Sequence, residues 1–309
     1  MRVRAASSGL LAWVLVLMSA CTSSVSTPAA SPTPTGVVSP PASASAPASA
    51  SAAPSPTAIT TASPTATPPP RLSTPAAPAA YCATGDTLTA QRDYARHAET
   101  VLDWTNGLPE DYVPPDVVGA INGGPVIAPR GVEPLSAVDK LARRGDPAYA
   151  QVLADDPKAT VRAVIYPDLS AMRRAAEAAG LRLFVISAYR SFGTQRQTFE
   201  YWVSVGGYDQ ALRTSARPGH SEHQLGTTID FGDGSAAPWE YEDWATTPTG
   251  AWLVAHAAEY GFTMTLARGK TAVTCYDYEP WHYRWVGRTF AQTLASDRVT
   301  LREYQATQR

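Results

Sequence analysis

Residues 218–230 read Pro218-Gly219-His220-Ser221-Glu222-His223-Gln224-Leu225-Gly226-Thr227-Thr228-Ile229-Asp230, and near the C-terminus Glu279-Pro280-Trp281-His282 answers them. Between His223 and Asp230 the spacing excludes a single regular element. In one helix the two would stand two turns apart, roughly 10 Å along the axis, too far to share bonds of about 2.0–2.2 Å to one metal ion. In one strand an odd separation would send them to opposite faces. A turn is required, and Gly226 permits one because glycine adopts left-handed backbone angles without steric cost. The expected local structure is His223 on a loop, a reversal near Gly226, and Asp230 on a strand over 227–231.

His282 is the third candidate ligand. Two imidazoles and a carboxylate leave the fourth tetrahedral position to water, the arrangement of a catalytic rather than a structural zinc site. Bound zinc lowers the pKa of such a water to about 7, and a carboxylate within reach can take the remaining proton. Glu279 is the candidate base. Pro280 disfavours helical backbone at Glu279, so the carboxylate is expected at a strand end, with Trp281 and His282 opening a new turn on the same side. Standing alone, Glu279 and His282 would read as ordinary surface groups; the earlier stretch gives them their meaning.

Three phrases, Ser187-Ala188-Tyr189-Arg190-Ser191, Gly219-His220-Ser221-Glu222-His223-Gln224-Leu225-Gly226 and Glu279-Pro280-Trp281-His282-Tyr283-Arg284, resemble in this order the D-alanyl-D-alanine carboxypeptidase family that includes VanY. The resemblance covers roughly residues 108–287. It implies that His223, Asp230 and His282 hold one zinc ion, that Glu279 is the base, and that Ser221 contacts substrate. It also implies that Arg190 stabilises the tetrahedral oxyanion or the substrate's terminal carboxylate. A guanidinium suits either task, being always charged and able to fork two hydrogen bonds onto a carboxylate. Gln195 resembles the family's substrate-side glutamine. The plainer readings are a surface arginine at a strand end, a loop-capping serine and a glutamine on a solvated helix face. The pattern does not use His220 for metal, so it is expected beside the ligands or the substrate. His97 and His256 fall in helical patterns away from the motifs and are read as structural.

The rest of the chain bounds the folded part. Residues 22–80 are almost wholly Ala, Ser, Thr and Pro, with no charge before Arg71, a composition that cannot bury enough apolar surface to offset chain entropy. They are expected to be a disordered linker, spanning on the order of 45 Å as a flexible coil. Residues 1–21 carry Arg2 and Arg4, a short apolar run and small residues before Cys21. This is the layout of a secretory signal rather than a membrane span. Met18-Ser19-Ala20-Cys21 resembles a bacterial lipobox, which implies acylation of Cys21 and a membrane anchor facing the cell wall; a plain cleaved signal is the alternative. Outside the cytoplasm Cys82 and Cys275 can pair, tying the start of the domain at 81–309 to the segment four residues ahead of Glu279. Two free thiols, or Cys275 as a soft ligand, are the other readings.

Within the domain, helices are expected over 89–103, 167–179, 194–205, 249–260 and 285–294. Pro167 stands at an early helical position, with Gly180 as a stop. Strands are expected over 181–187, 262–266 and 273–278, the last two paired and leading into Glu279. Helices mixed with short strands, without a sustained βαβ rhythm, predict an α+β domain, in line with the small antiparallel sheet flanked by helices that the family implies. The proline-rich stretch 106–130 suits either a wall beside the substrate or simple packing.

A net charge of −2 offers no basic field for nucleic acid. Lys140, Lys158 and Lys270 have Ala137, Asp155 and Ala267 three residues before them. No Ser-x-x-Lys motif exists, which argues against a serine-acylating route to the same substrates. The expectation is a zinc carboxypeptidase that removes terminal D-alanine from peptidoglycan stem peptides. An L,D-carboxypeptidase, dipeptidase or endopeptidase of the same fold is the nearest alternative, and a non-catalytic wall-binding lipoprotein a more distant one.

Overall fold

The computed structural model of the chain describes residues 82–88 and 100–307. The expected signal, Cys21, the linker, His97 and most of the expected helix at 89–103 lie outside these residues. Residues 100–103 are not helical. The architecture is α+β. Strands β1 (Thr87–Leu88), β2 (Asn106–Gly107), β3 (Val117–Gly119) and β4 (Thr160–Arg162) precede helix α1 (Tyr166–Ala178), strand β5 (Phe184–Ser187), and helices α2 (Phe192–Gly206) and α3 (Tyr208–Thr214). Then come β6 (Thr228–Gly232), α4 (Pro248–His256), β7 (Phe262–Met264), α5 (Thr271–Thr274), β8 (His282–Trp285), α6 (Arg288–Asp297) and α7 (Leu301–Thr307).

The central sheet is fully antiparallel, in the order β5-β6-β8-β7. Side-chain alternation along β6 and β8 divides two chemistries. Ile229 and Phe231 share one face with Tyr283, and there they meet Leu169 and Met172 of α1, Leu253 of α4 and Phe262 in the main core. The opposite face carries Thr228 and Asp230 on β6 with Arg284 and His282 directly across on β8. Cross-strand neighbours point the same way, so the register that builds the core also sets Asp230 beside His282.

Helix α1 buries Leu169, Met172 and Ala176, a spacing that lines one helical face. Pro167 stands in its first turn, and Gly180 follows its end at φ +75°. Helix α2 starts where Ser191 Oγ accepts the Thr194 amide at 3.1 Å, a side-chain N-cap that places Arg190 just ahead of the helix. Gly207 at φ +79° ends α2 as expected, yet α3 begins at once and packs Ala211 and Leu212 against Phe199.

Two expectations are corrected. Residues 273–278 do not form a strand: the one-turn helix α5 ends there, with Cys275 in the left-handed region at φ 68°. The partner of β7 is β8 instead, pairing Met264 with Tyr283 and Phe262 with Trp285. Residues 285–287 likewise belong to the end of β8 and a turn, and α6 starts only after Gly287 at φ +85°. The proline-rich stretch packs beneath the site: Leu108 and Tyr112 cluster with Leu225, and Gln224 Nε2 donates to the Pro109 carbonyl at 3.2 Å.

Candidate metal centre

The reversal expected at Gly226 is a 3-10 turn over Glu222–Leu225, closed by Gly226 at φ 73°. A Cβ at Gly226 would lie 3.0 Å from Arg162 Cγ and 3.1 Å from Pro114 Cγ, so backbone angle and space both call for glycine. The turn delivers His223 to the strand face that carries Asp230 and His282, and one ligand atom from each lies within 4.8 Å of the others. His223 Nε2 is 3.2 Å from Asp230 Oδ2, and His282 Nδ1 is 3.1 Å from Asp230 Oδ1. All three residues are buried.

The donor set fits a divalent cation, because the outward nitrogen of each ring is already used. His223 Nδ1 donates to the Ala188 carbonyl at 2.6 Å, which leaves the lone pair on Nε2, the nitrogen beside Asp230. His282 Nε2 meets Glu222 Oε2 at 3.0 Å, which leaves Nδ1 on the same side. Two nitrogens and a carboxylate oxygen converging on one point form a borderline-soft site of the kind zinc takes, the cation replacing the proton held between His282 Nδ1 and Asp230.

Glu279 reaches this cluster through a tight turn in which the His282 amide donates to the Glu279 carbonyl at 3.1 Å. Its Oε2 lies 3.7 Å from His282 Nδ1. Burial pushes the Glu279 carboxyl up to about 7, against the opposing pull of His282. That suits a group that must both take and return a proton near neutrality. Burial would also raise the Asp230 carboxyl, but the two imidazoles outweigh it and hold it well below the usual range. For His282, burial opposes the charge, while its hydrogen bonds to the Asp230 and Glu222 carboxylates win and push it up to about 10. For His223 burial prevails and lowers the pKa.

One cavity of about 250 Å³ is lined by all these groups and by Arg190, Gln195 and Ser221. Arg190 is ion-paired through NH1 to the buried Asp139, and among the described residues its buried Nε has no hydrogen-bond partner. Gln195, one turn into α2, donates from Nε2 to the Ala216 carbonyl at 2.6 Å, and among the described residues its buried Oε1 has no partner. His220 is not a ligand: its Nδ1 donates to the Asp103 carbonyl at 2.6 Å, and its Nε2 lies 3.4 Å from Asp86 Oδ1. It ties down the segment before β2. Residues 106–130 contribute nothing to this cavity among the described residues. His256 meets Glu259 at 2.8 Å on the surface, away from the site.

The cavity is edged by a seam of segments distant in sequence. Cys82 and Cys275 form a disulfide with a Cα–Cα distance of 5.3 Å. Asp103, on the N-terminal side, is ion-paired to Arg302 of α7, and Lys270 Nζ meets Glu303 Oε1 at 2.7 Å. Leu301 and Arg302 reach the cavity wall from α7. The sequence reading did not single out Asp103, Asp139, Glu222, Arg284 or Arg302. Three of them, Asp103, Asp139 and Arg284, are buried charges, and a sequence read by itself assigns charged residues to the surface. A signal existed for Arg284, which stands two residues after His282 in an alternating run and so shares its face.

The model for the D-alanyl-D-alanine carboxypeptidase family VanY matches residues 158–288. Over this span, which contains the candidate metal cluster, Glu279, Arg190, Gln195 and Ser221, the chain is similar to that family. It is 37% identical over 136 residues to YodJ of Bacillus subtilis (strain 168), a carboxypeptidase by name, covering 44% of this chain and 50% of the relative. It is 32% identical over 126 residues to the bifunctional D-Ala-D-Ala dipeptidase and carboxypeptidase VanXYC of Enterococcus gallinarum, covering 39% of this chain and 64% of that protein. The chain thus spans between half and two thirds of the length of these curated relatives. Among solved structures, the LdcB LD-carboxypeptidase aligns with a TM-score of 0.51 at 28% identity, covering 68% of this chain and 87% of that one. The D,D-dipeptidase VanXYg shares the fold, with a TM-score of 0.52 at 22% identity, over 68% of this chain and 70% of its own.

Proposed function

We propose that this chain is a zinc-dependent carboxypeptidase that hydrolyses the terminal D-alanine from peptidoglycan stem peptides. The observation that carries the reading is the convergence of His223 Nε2, Asp230 and His282 Nδ1 within 4.8 Å, with Glu279 Oε2 3.7 Å from His282 Nδ1. His223, Asp230 and His282 would hold the ion, which when bound supplies a Lewis acid that polarises the scissile carbonyl and acidifies water. Glu279 takes the proton of the attacking water and returns it to the leaving amine, a double task matched to a carboxyl raised by burial. Arg190 faces the same cavity and offers fixed positive charge to the developing oxyanion or to the substrate carboxylate. Ser221 and the orphaned Oε1 of Gln195 are the polar groups placed to orient the peptide. Residues 1–21 and 22–80 would export this domain, anchor it through a lipid on Cys21 and give it reach into the cell wall.

The similarity to LdcB, an LD-carboxypeptidase, favours a second reading in which the bond cleaved joins an L-centre to D-alanine. Incubating the zinc-loaded protein with defined tripeptide, tetrapeptide and pentapeptide stems and weighing the products separates the two. Release of D-alanine from the pentapeptide supports the first reading, and release from the tetrapeptide alone supports the second. Failure to cleave any stem, with zinc bound, removes both.

A further inference from the structure

Glu222 is a largely buried carboxylate, 12% of its side chain exposed, that the proposed reaction does not use. It stands on the turn that delivers His223, and its two oxygens have separate partners. Oε1 accepts from Arg284 NH1 at 2.7 Å. Oε2 accepts from Thr265 Oγ1 at 2.6 Å and lies 3.0 Å from His282 Nε2. His282 and Arg284 are positions i and i+2 of β8, on the same face of the strand. The carboxylate therefore bridges two neighbours on one face, with β7 supplying Thr265 just beyond its end.

We infer that Glu222 is the positioning residue for the metal ligand His282, an inference that rests on the metal reading above. An ionised carboxylate only accepts hydrogen bonds, so contact at 3.0 Å places the imidazole proton on Nε2. Nδ1, 3.1 Å from Asp230 Oδ1 and 3.7 Å from Glu279 Oε2, is then the nitrogen left for a cation, which would take the place of the second proton that Asp230 favours there. A carboxylate behind a ligating histidine fixes the ring's tautomer and orientation and raises its basicity. Because Glu222 is the chain neighbour of His223, one turn both supplies the first imidazole and orients the second. The two rings stand edge to face, 5.2 Å between centroids at 75°. Arg284, fully buried, occupies the other oxygen, so turning Glu222 away from His282 would also break this buried ion pair.

The test compares two double variants of the full chain, because Glu222→Ala alone would also break the buried ion pair with Arg284. Glu222→Gln with Arg284→Met keeps an acceptor for His282 Nε2, whereas Glu222→Leu with Arg284→Met removes it; both replace the ion pair by packing. Zinc affinity is read by competition with a chromophoric chelator, and ligand geometry by the visible spectrum of the cobalt-substituted protein. The Leu-containing variant is expected to bind zinc roughly 10–100-fold more weakly than the Gln-containing one and to show an altered cobalt spectrum. Equal affinities and equal spectra would overturn the inference and leave Glu222 as a partner of Arg284 alone. Wild type and His282→Ala serve as references: if wild type bound no zinc, the metal reading itself would fall, and this inference with it. If wild type binds zinc through His282 while the two double variants match, only the role of Glu222 falls.

Discussion

The strand face bearing Asp230, His282 and Arg284 and the seam joining residues 82–88, 100–107, 270–277 and 301–307 border the same cavity, but different forces hold them. On the strand face, backbone register decides: Asp230 pairs with His282 and Thr228 with Arg284, and the reverse side of the same strands is the main core. Moving a ligand there means moving Ile229, Phe231 or Tyr283 out of close packing. In the seam there is no shared core of that kind. A disulfide, the Asp103–Arg302 pair and the Lys270–Glu303 pair hold segments that are far apart in the chain. The metal ligands thus stand on the rigid side, while the loop leading to Glu279 is braced from the seam.

Substitutions at the candidate metal cluster and at Glu279 beside it should have the largest effects and should separate metal from chemistry. His282→Ala is expected to lose both bound zinc and turnover, whereas Glu279→Gln should keep zinc and lose roughly 10²–10⁴-fold in kcat. Metal analysis alongside product release checks both, and parental turnover by Glu279→Gln would sink the assignment of the base. Arg190→Ala should come next, lowering kcat by roughly 10²–10³-fold, the usual loss when one donor to a developing oxyanion is removed. If KM alone rose, Arg190 would instead hold the substrate carboxylate in ground state and transition state alike.

The seam should behave differently. Replacing Cys82 and Cys275 by Ser is expected to cost about 2–5 kcal/mol of stability, the range for a native bridge closing a long loop. Zinc affinity should be unchanged while kcat falls modestly, because the bridge sits at the start of the loop to Glu279 and not on the ligands. An equal fall in zinc affinity would show that the two regions are not held separately. The smallest effect belongs to Glu303. Burial would raise its carboxyl, but Lys270 and the amide of Thr300 outweigh it, and the folded-state pKa is lowered. A lowered folded pKa stabilises above the unfolded value and is lost as pH falls. Glu303→Gln should therefore reduce Tm at pH 7 by an amount worth about 0.5 kcal/mol or less, and the difference should vanish in acid. A deficit that grew toward low pH would contradict the pairing.

What could be read along the chain followed from local rules. Helix α1 lies between Pro167 and Gly180, β5 delivers Arg190, and the turn at Gly226 brings His223 toward Asp230. Each depends on residues within a few positions of one another. The error at 273–278 has a tertiary cause. Val273, Tyr276 and Tyr278 have strand-forming side chains, yet the bridge to Cys82 lies in the middle of that run, and Cys275 adopts a left-handed backbone. Tertiary packing overrides propensity in short segments. Glu222 escaped notice because the partners that explain its burial, Thr265, His282 and Arg284, lie 43, 60 and 62 residues away.

The sequence by itself determined which residue types can grip a cation and take a proton, and that His223 and Asp230 must meet through a turn, because bond lengths and backbone sterics act at short range. Only the tertiary structure decided which nitrogen of each imidazole faces inward, which carboxylate stands behind His282, and which distant segments border the cavity. Those outcomes depend on strand register and on buried charge pairs, whose energies exist only once remote parts of the chain have excluded water together.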